Sequence, residues 1–359
     1  MFRSSLVFAS VVALAGMASA QYSTVILHPG SNFGSDGRGV GGGAQVGNVS
    51  SVPGEQHASV WHGSSGSFVD LHPFSDGISN AYGTDGTQYI GYGYSTDIGL
   101  VSHALLWTGV GTNYIDLHPT GVDQSTGLAM SGPVQVGYTS QSGTSHAALW
   151  TGTAGSYVDL NPVGANGSIA MCTNGQVQGG SAFFSSGTHA ALWSVSAGSF
   201  ADIHPAGFDN SQVYAIGAGF QIGMANGAFD GFLAHAIMWN GSAASAIDIT
   251  PVGFQQAVAT ASANGQIVGY AIQPGQYQAI LWTGTNTAIN LGAFLPGGYT
   301  DSFAWGLDAT TGDIVGQAYN SVEQRYEAVM WHPTVPEPAS IAVIGLGITA
   351  LLRRRRLRR

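Results

Sequence analysis

Between residues 21 and 334 the chain repeats one hydrophobic pattern, an evenly apolar run that closes on tryptophan, at nearly constant intervals. The tryptophans are Trp61, Trp107, Trp150, Trp193, Trp239, Trp282 and Trp331, spaced 46, 43, 43, 46, 43 and 49 residues apart. Five runs open on histidine, at His57, His103, His146, His189 and His235, while Gln278 and Glu327 take that place in the last two. Such runs, apolar at successive positions and bounded by turn formers, read as strands buried on both faces. Nine residues after each of the first five tryptophans comes the aspartate of a Val-Asp-Leu-like segment: Asp70, Asp116, Asp159, Asp202 and Asp248. The residues between, such as Thr-Gly-Thr-Ala-Gly-Ser at 151–156, are turn formers, so the two segments make a hairpin.

Two more strands complete the period. One alternates small and larger residues, as in Ser168–Cys172, Gln212–Gly217, Ala257–Ser262 and Ser302–Leu307. The next carries a glycine within an apolar run, as in Gln45–Val49 or Gly265–Tyr270. No helical periodicity appears. Four short antiparallel strands in about 45 residues make a propeller blade. Seven copies predict an all-β fold, a seven-bladed β-propeller of four-stranded antiparallel blades. The blade has the length and strand order of a WD-type blade but lacks the Gly-His and Trp-Asp dipeptides of that family. Val25–Pro29 reads as a fourth strand with no tryptophan strand before it, and Trp331 closes a third strand with nothing after it except His332-Pro333 and the tail. Pairing the N-terminal strand beside Ala328–Trp331 completes the last blade and leaves no open sheet edge.

The ends stand outside this pattern. Arg3 gives a short basic start, Leu6–Met17 is apolar, and Ala18-Ser19-Ala20 is a small-residue cleavage site. That is a secretory signal peptide, with cleavage expected between Ala20 and Gln21. At the other end Val335-Pro336-Glu337-Pro338 precedes an apolar stretch, Ala339–Leu352, and six arginines stand within the last seven residues. As a membrane helix this stretch reaches only about 21 Å, against a hydrocarbon core of roughly 30 Å. The arginines hold its end on the cytoplasmic side. An apolar helix that stops in the membrane but fits it badly suits a transient inner-membrane anchor.

In order and spacing these last residues resemble the PEP-CTERM sorting tail. The resemblance implies recognition by a membrane-embedded exosortase, cleavage near Pro336–Pro338, and delivery to the surface or exopolysaccharide of a Gram-negative-type bacterium. Three domains are therefore expected: a signal peptide at 1–20, a seven-repeat propeller at 21–334 and a sorting tail at 335–359. The repeats themselves resemble HAF-type extracellular repeats, in which a Gly-x-Val-Val-Gly-Tyr segment precedes His-Ala-Phe-x-Trp and an Asp-Leu-Gly segment. Gly265–Tyr270 and Ile289–Phe294 match best, and alanine, isoleucine, leucine or serine replaces the phenylalanine. That family carries no assigned chemistry.

Charge narrows the partners. Outside the two terminal segments the chain has two basic residues, Arg38 and Arg325, against fifteen Asp and three Glu, a formal charge of −16. Nothing there could neutralise phosphates, which excludes a nucleic-acid partner. The expected partners are the Sec machinery and exosortase during export, and exopolysaccharide afterwards; the chain is expected to be a monomer. Cys172 is the only cysteine, so no internal disulfide forms, and its apolar surroundings read as a small buried thiol.

The repeated histidines and aspartates could be chemical sites or the joints of a repeated fold. Equivalent positions lie in different blades, around a ring, and one blade offers at most a His, an Asp and the His of an Asp-Leu-His-Pro segment. Gln278 and Glu327 replace the first histidine in two blades, and Asn161, Thr250 and Gly292 replace the second. The residues are therefore read as structural, with no metal and no cofactor. No His-Glu-x-x-His, Gly-x-Ser-x-Gly or P-loop motif occurs. Asp97, Asp123, Asp209, Asp230 and Asp301 fall outside the repeat, in loops, where propellers carry function. The loops around Phe183-Phe184, Asp230 and Tyr299–Asp301 depart most from the pattern. The leading expectation is a secreted, surface- or matrix-sorted, non-enzymatic protein with a structural, adhesive or binding role. The alternative is a polysaccharide-active enzyme or lectin with a site at the channel mouth, where loop acids would hold any Ca²⁺.

Overall fold

The pattern of short apolar runs and glycine-rich turns folds as seven four-stranded sheets. The computed structural model describes residues 21–334, apart from 31 and 274. The signal peptide and the sorting tail from Val335 onward lie outside the described residues. Among the described residues no helix is long and apolar enough to cross a membrane.

Blade 3 shows how each period folds. Its strands run Gln124–Ser131, Val134–Gln141, Thr144–Trp150 and Val158–Asp159, hydrogen-bonded in that order. The third strand, opening at His146 and closing on Trp150, is buried on both sides over its last four residues. The fourth is only two residues long, pairing Ala148 with Asp159 and Leu149 with Val158. A 3₁₀ turn at Ala154–Ser156 joins them, locked by Ser156, whose hydroxyl accepts the Thr151 amide at 2.8 Å and donates to the Thr153 carbonyl at 2.6 Å.

The first strand of every blade is bulged at the same place, and that of blade 7 shifts register a second time, between Tyr299 and Ser302. The register skips one residue between Gly37 and Gly39, Ala81 and Gly83, Gly127 and Ala129, and Ala170 and Cys172. It does so again between Val213 and Ala215, Ala259 and Ala261, and Ala304 and Gly306. The backbone just before each bulge presses against the second strand, where only glycine fits. A Cβ on Gly137 would lie 1.9 Å from the Thr126 carbonyl oxygen, and one on Gly269 2.0 Å from that of Val258. This explains the glycine inside each second-strand run.

The core sits in the seams between blades. Val46, Val60 and Leu71 of blade 1 pack with Ala81, Leu105 and Trp107 of blade 2. In three of the seven seams the tryptophan also bonds the residue just after its neighbour's outer strand. Trp107 Nε1 donates to the Leu71 carbonyl at 2.8 Å, Trp282 to Ile249 at 2.7 Å and Trp331 to Leu291 at 2.9 Å. The ring closes as its sequence requires. The seventh sheet orders Gln21–Ile26, Arg325–Thr334, Ile314–Asn320 and Tyr299–Leu307 side by side. The Leu27 amide donates to the Ala328 carbonyl at 2.8 Å, the bond that Leu71 makes to Ala58 within blade 1.

Candidate functional site

The repeated histidines and aspartates gather at the seams. His57 opens a third strand and Asp70 ends the neighbouring fourth, and His57 Nδ1 donates to Asp70 Oδ2 at 2.8 Å. The same bond joins His103 to Asp116 and His146 to Asp159 at 2.8 Å, His189 to Asp202 at 2.7 Å and His235 to Asp248 at 2.6 Å. The second histidine lies flat against the first, with ring centroids 3.9 Å apart for His57 and His72, 3.9 Å for His103 and His118, and 4.2 Å for His189 and His204. Its Nδ1 bonds a serine on the next blade's first strand: Ser79 at 2.8 Å, Ser125 at 3.0 Å, Ser211 at 2.7 Å. Those serines are fully buried and accept the amides of Ala58, Ala104 and Ala190. Third strand, following loop and next blade are thus tied through one chain of polar contacts.

Blades that lack a histidine replace the contact. Asn161 accepts from Ser168, Thr250 accepts the Ala236 amide, and Gln278 accepts from Asn290. Glu327 is buried between Arg325, at 2.8 Å, and the Tyr299 hydroxyl. This belt has little room for reaction chemistry. The serine oxygens are out of reach of a substrate, and the stacked imidazoles turn their nitrogens to separate partners. Among the described residues no three His, Cys, Asp or Glu side chains are placed to hold a metal.

The acids expected in loops are also engaged, each within its own neighbourhood, although Asp301 lies within the strand Tyr299–Leu307 rather than in a loop. Asp97 accepts the Ser75 amide, Asp123 that of Ser142, Asp209 that of Ala228 and Asp301 that of Tyr277. Asp230 bonds His235 Nε2 at 2.6 Å, opposite Asp248, so that imidazole sits between two carboxylates. Phe184 packs against His189 and Phe200.

The belt sets the pH response. Burial lowers His72, His118, His204 and His28, helped by the neighbouring histidine in the first three and by Arg325 at His28. Their neutral forms favour the fold, so their stability is present above about pH 6.5 and is lost as pH falls below it. At Asp70 and Asp116 burial alone would raise the carboxyl, but bonds from histidine and a backbone amide outweigh it and lower it. Their stability is present above about pH 4 and is lost below that. Only His57 and His235 run the other way. Asp70 raises His57, and at His235 the bonds from Asp230 and Asp248 overcome burial. Those two contributions are full below about pH 6.5 and fade as pH rises through their raised values. Four groups against two predict a melting temperature that falls by several degrees from about pH 7 to about pH 5. The triple variant H72N/H118N/H204N, which copies the Asn161 solution, should flatten that slope. An unchanged slope, measured by calorimetry, would refute the assignment.

The second arrangement is the central channel. It encloses about 600 Å³ and is lined by the first strands of all seven blades. The seven bulged residues, Arg38, Tyr82, Leu128, Met171, Tyr214, Thr260 and Trp305, all line it. A bulge re-aims a side chain that regular pleating would turn elsewhere. Here the repeat breaks completely: equivalent positions carry a cation, two phenols, two aliphatic chains, a hydroxyl and an indole. Arg38 pairs with Asp36 through Nη2 at 2.7 Å and lies 5.0 Å over the Trp305 ring. Tyr214 donates to Gln212 at 2.7 Å, and burial pushes its hydroxyl up to about 12, so it remains a donor. Cys172 also lines the channel, but burial pushes its thiol up to about 12, far from a reactive thiolate. No carboxylate or histidine is among the lining residues.

These channel residues were not singled out by sequence, although their signal was present. All but Tyr214, which follows Val213, are the middle residue of a small-X-small triplet in the alternating strand, and X changes in kind from blade to blade.

Comparison with known proteins agrees with this architecture. Residues 334–356 match the PEP-CTERM protein-sorting motif. That motif marks an exported protein held transiently at the membrane before processing, with exosortase as the partner that recognises it. No curated protein matches the chain. Among solved structures it is similar to a puromycin-hydrolysing peptidase of Mycobacterium tuberculosis, at 12% identity and a TM-score of 0.55, over 86% of this chain and 55% of the other. The β-propeller domain of the Trilobed protease from Pyrococcus furiosus, described as having an open velcro topology, aligns at 9% identity and a TM-score of 0.53, over 83% and 95%. An acylaminoacyl peptidase of Pyrococcus horikoshii aligns at 10% and 0.53, over 86% and 53%. The chain spans little more than half the length of the two peptidases, and at these identities the likeness is one of fold alone.

Proposed function

We propose that this chain is a non-catalytic binding protein of the cell surface or extracellular matrix, with its ligand site in the central channel and the His–Asp belt as a structural joint. The observation that carries the reading is the channel wall. Its seven bulged positions vary in kind while the tryptophans and the second-strand glycines repeat in every blade, and they supply donors, rings and aliphatic surface. A glycosidase would require two acids flanking the scissile bond, roughly 5–10 Å apart. A peptidase would require an exposed nucleophile beside a base. The lining residues offer neither, whereas a concave pocket of this volume with a few polar groups suits binding.

The test is to incubate the processed protein with exopolysaccharide from its producing cells and follow both retention and cleavage. Retention without release of reducing ends is the expected result. Steady release of reducing ends, or turnover of a peptide substrate, would favour the enzyme alternative.

A further inference from the structure

The seam between blades 6 and 7 carries a continuous run of aromatic rings from the channel to the surface. Trp305 lies parallel to Phe303 with centroids 5.5 Å apart. Phe303 in turn meets Tyr277 at 4.9 Å and Tyr326 at 6.3 Å. Tyr277 and Tyr326 are 40% and 38% exposed, although both pack against the half-buried Phe303. At the inner end stands Arg38, which gives Nε and Nη2 to Asp36 Oδ2 and whose Nη1 bonds to no described residue.

We propose that this ladder is the contact surface for a neutral glycan chain, whose end enters the channel beside Arg38. The inference rests on the binding reading above and names its ligand class. A sugar ring presents C–H groups on its faces and hydroxyls around its edge. The faces suit the electron-rich faces of tyrosine and phenylalanine, and the edges suit phenol hydroxyls and an available guanidinium N–H. Other ligands fit less well. A lipid gains nothing from phenols and a guanidinium spaced among the rings. A peptide added by strand pairing would lie along an outer strand, here Thr287–Asn290 or Gln21–Ile26, whereas every ring of the ladder stands on a first or third strand. An anionic polymer meets a body of charge −16, with Asp301 beside Tyr326 and Glu323 beside Arg325. The one channel cation already has Asp36 as its counter-ion.

Affinity electrophoresis of the processed protein tests this in gels containing hydroxyethylcellulose, dextran or alginate, the last a polyuronate. Retardation by at least one neutral polymer and none by alginate is expected. The double variant Y277A/Y326A should weaken that retardation about tenfold or more. The variant Y277F/Y326F should keep most of it, because the ring faces remain. Both variants change exposed side chains, and an unchanged melting temperature shows that each is folded. Retardation by alginate alone, by no polymer, or equally by Y277A/Y326A and the parent overturns the proposal. Retardation that survives Y277A/Y326A leaves the non-catalytic binding reading standing, whereas release of reducing ends removes that reading whatever the ladder does.

Discussion

Deleting Tyr22–Pro29 should lower the melting temperature by well over ten degrees and make the ring prone to aggregate. Leu27 is wholly buried, in a cluster with Val49, Trp61, Val315, Ala328 and Met330. Losing a buried leucine side chain costs about 2–5 kcal/mol when a cavity remains, and each kcal/mol shifts the transition by about 2–4 °C in a domain of 150–250 residues. The deletion removes more than that side chain. The Ala328 carbonyl loses its donor, Ser35 loses His28 at 2.8 Å, and the Phe294 carbonyl loses the Thr24 hydroxyl at 2.8 Å. It also leaves Arg325–Thr334 as a long unpaired edge, which invites pairing with another molecule. The single variant Leu27→Ala separates the two effects, since it keeps the backbone pairing and should lose stability without aggregating. A deletion variant that melts at the parent temperature as a monomer would show that this strand does not close the ring.

A comparable loss should follow from one methyl group. Gly137→Ala places a Cβ 1.9 Å from the Thr126 carbonyl oxygen, and Gly269→Ala one 2.0 Å from that of Val258. No real Cβ sits so close to backbone, so either the bulge must flatten or the two strands must part. Overpacking of this kind costs about 1–3 kcal/mol and more where backbone must move. Gly155→Ala is the matched control, because its Cβ meets nothing within 4 Å and its φ is not in the left-handed region. There the smaller entropy of the unfolded chain should leave stability equal or slightly raised. Denaturant unfolding of the three variants decides the matter. Equal midpoints for Gly137→Ala and Gly155→Ala would mean that the bulge is not held by the glycine. A bulge that flattens would also withdraw Leu128 from the channel wall, linking stability to the site.

Much of this was legible in the chain because a propeller repeats its physical problem. Every seam must bury a tryptophan, satisfy a short outer strand and join the next blade, so His146, Trp150 and Asp159 recur with their spacing almost unchanged. The unpaired strand at Val25–Pro29 and the unfinished blade at Trp331 were complementary, and an open edge is costly enough that their pairing could be expected. The belt contacts were only half visible. A His and an Asp facing each other across neighbouring strands follow from the hairpin, but the serine of the next blade, such as Ser168 or Ser211, is brought in by the packing of separate sheets. The non-repeated acids break the pattern, yet Asp97, Asp123, Asp209 and Asp301 accept a nearby amide and Asp230 bonds His235, which sequence alone does not reveal.

By itself, then, the sequence determined the period, the four-stranded unit, the number of blades, the closing strand and the sorting motif, because each is a local pattern or a count. The tertiary structure alone decided which side chains face the channel. In a plain strand, alternation assigns the faces, but one inserted residue reverses that assignment beyond it. The bulges at Arg38, Tyr214 and Trp305 exist only through the opposing glycine of another strand, and no single strand's pattern reports its partner's register.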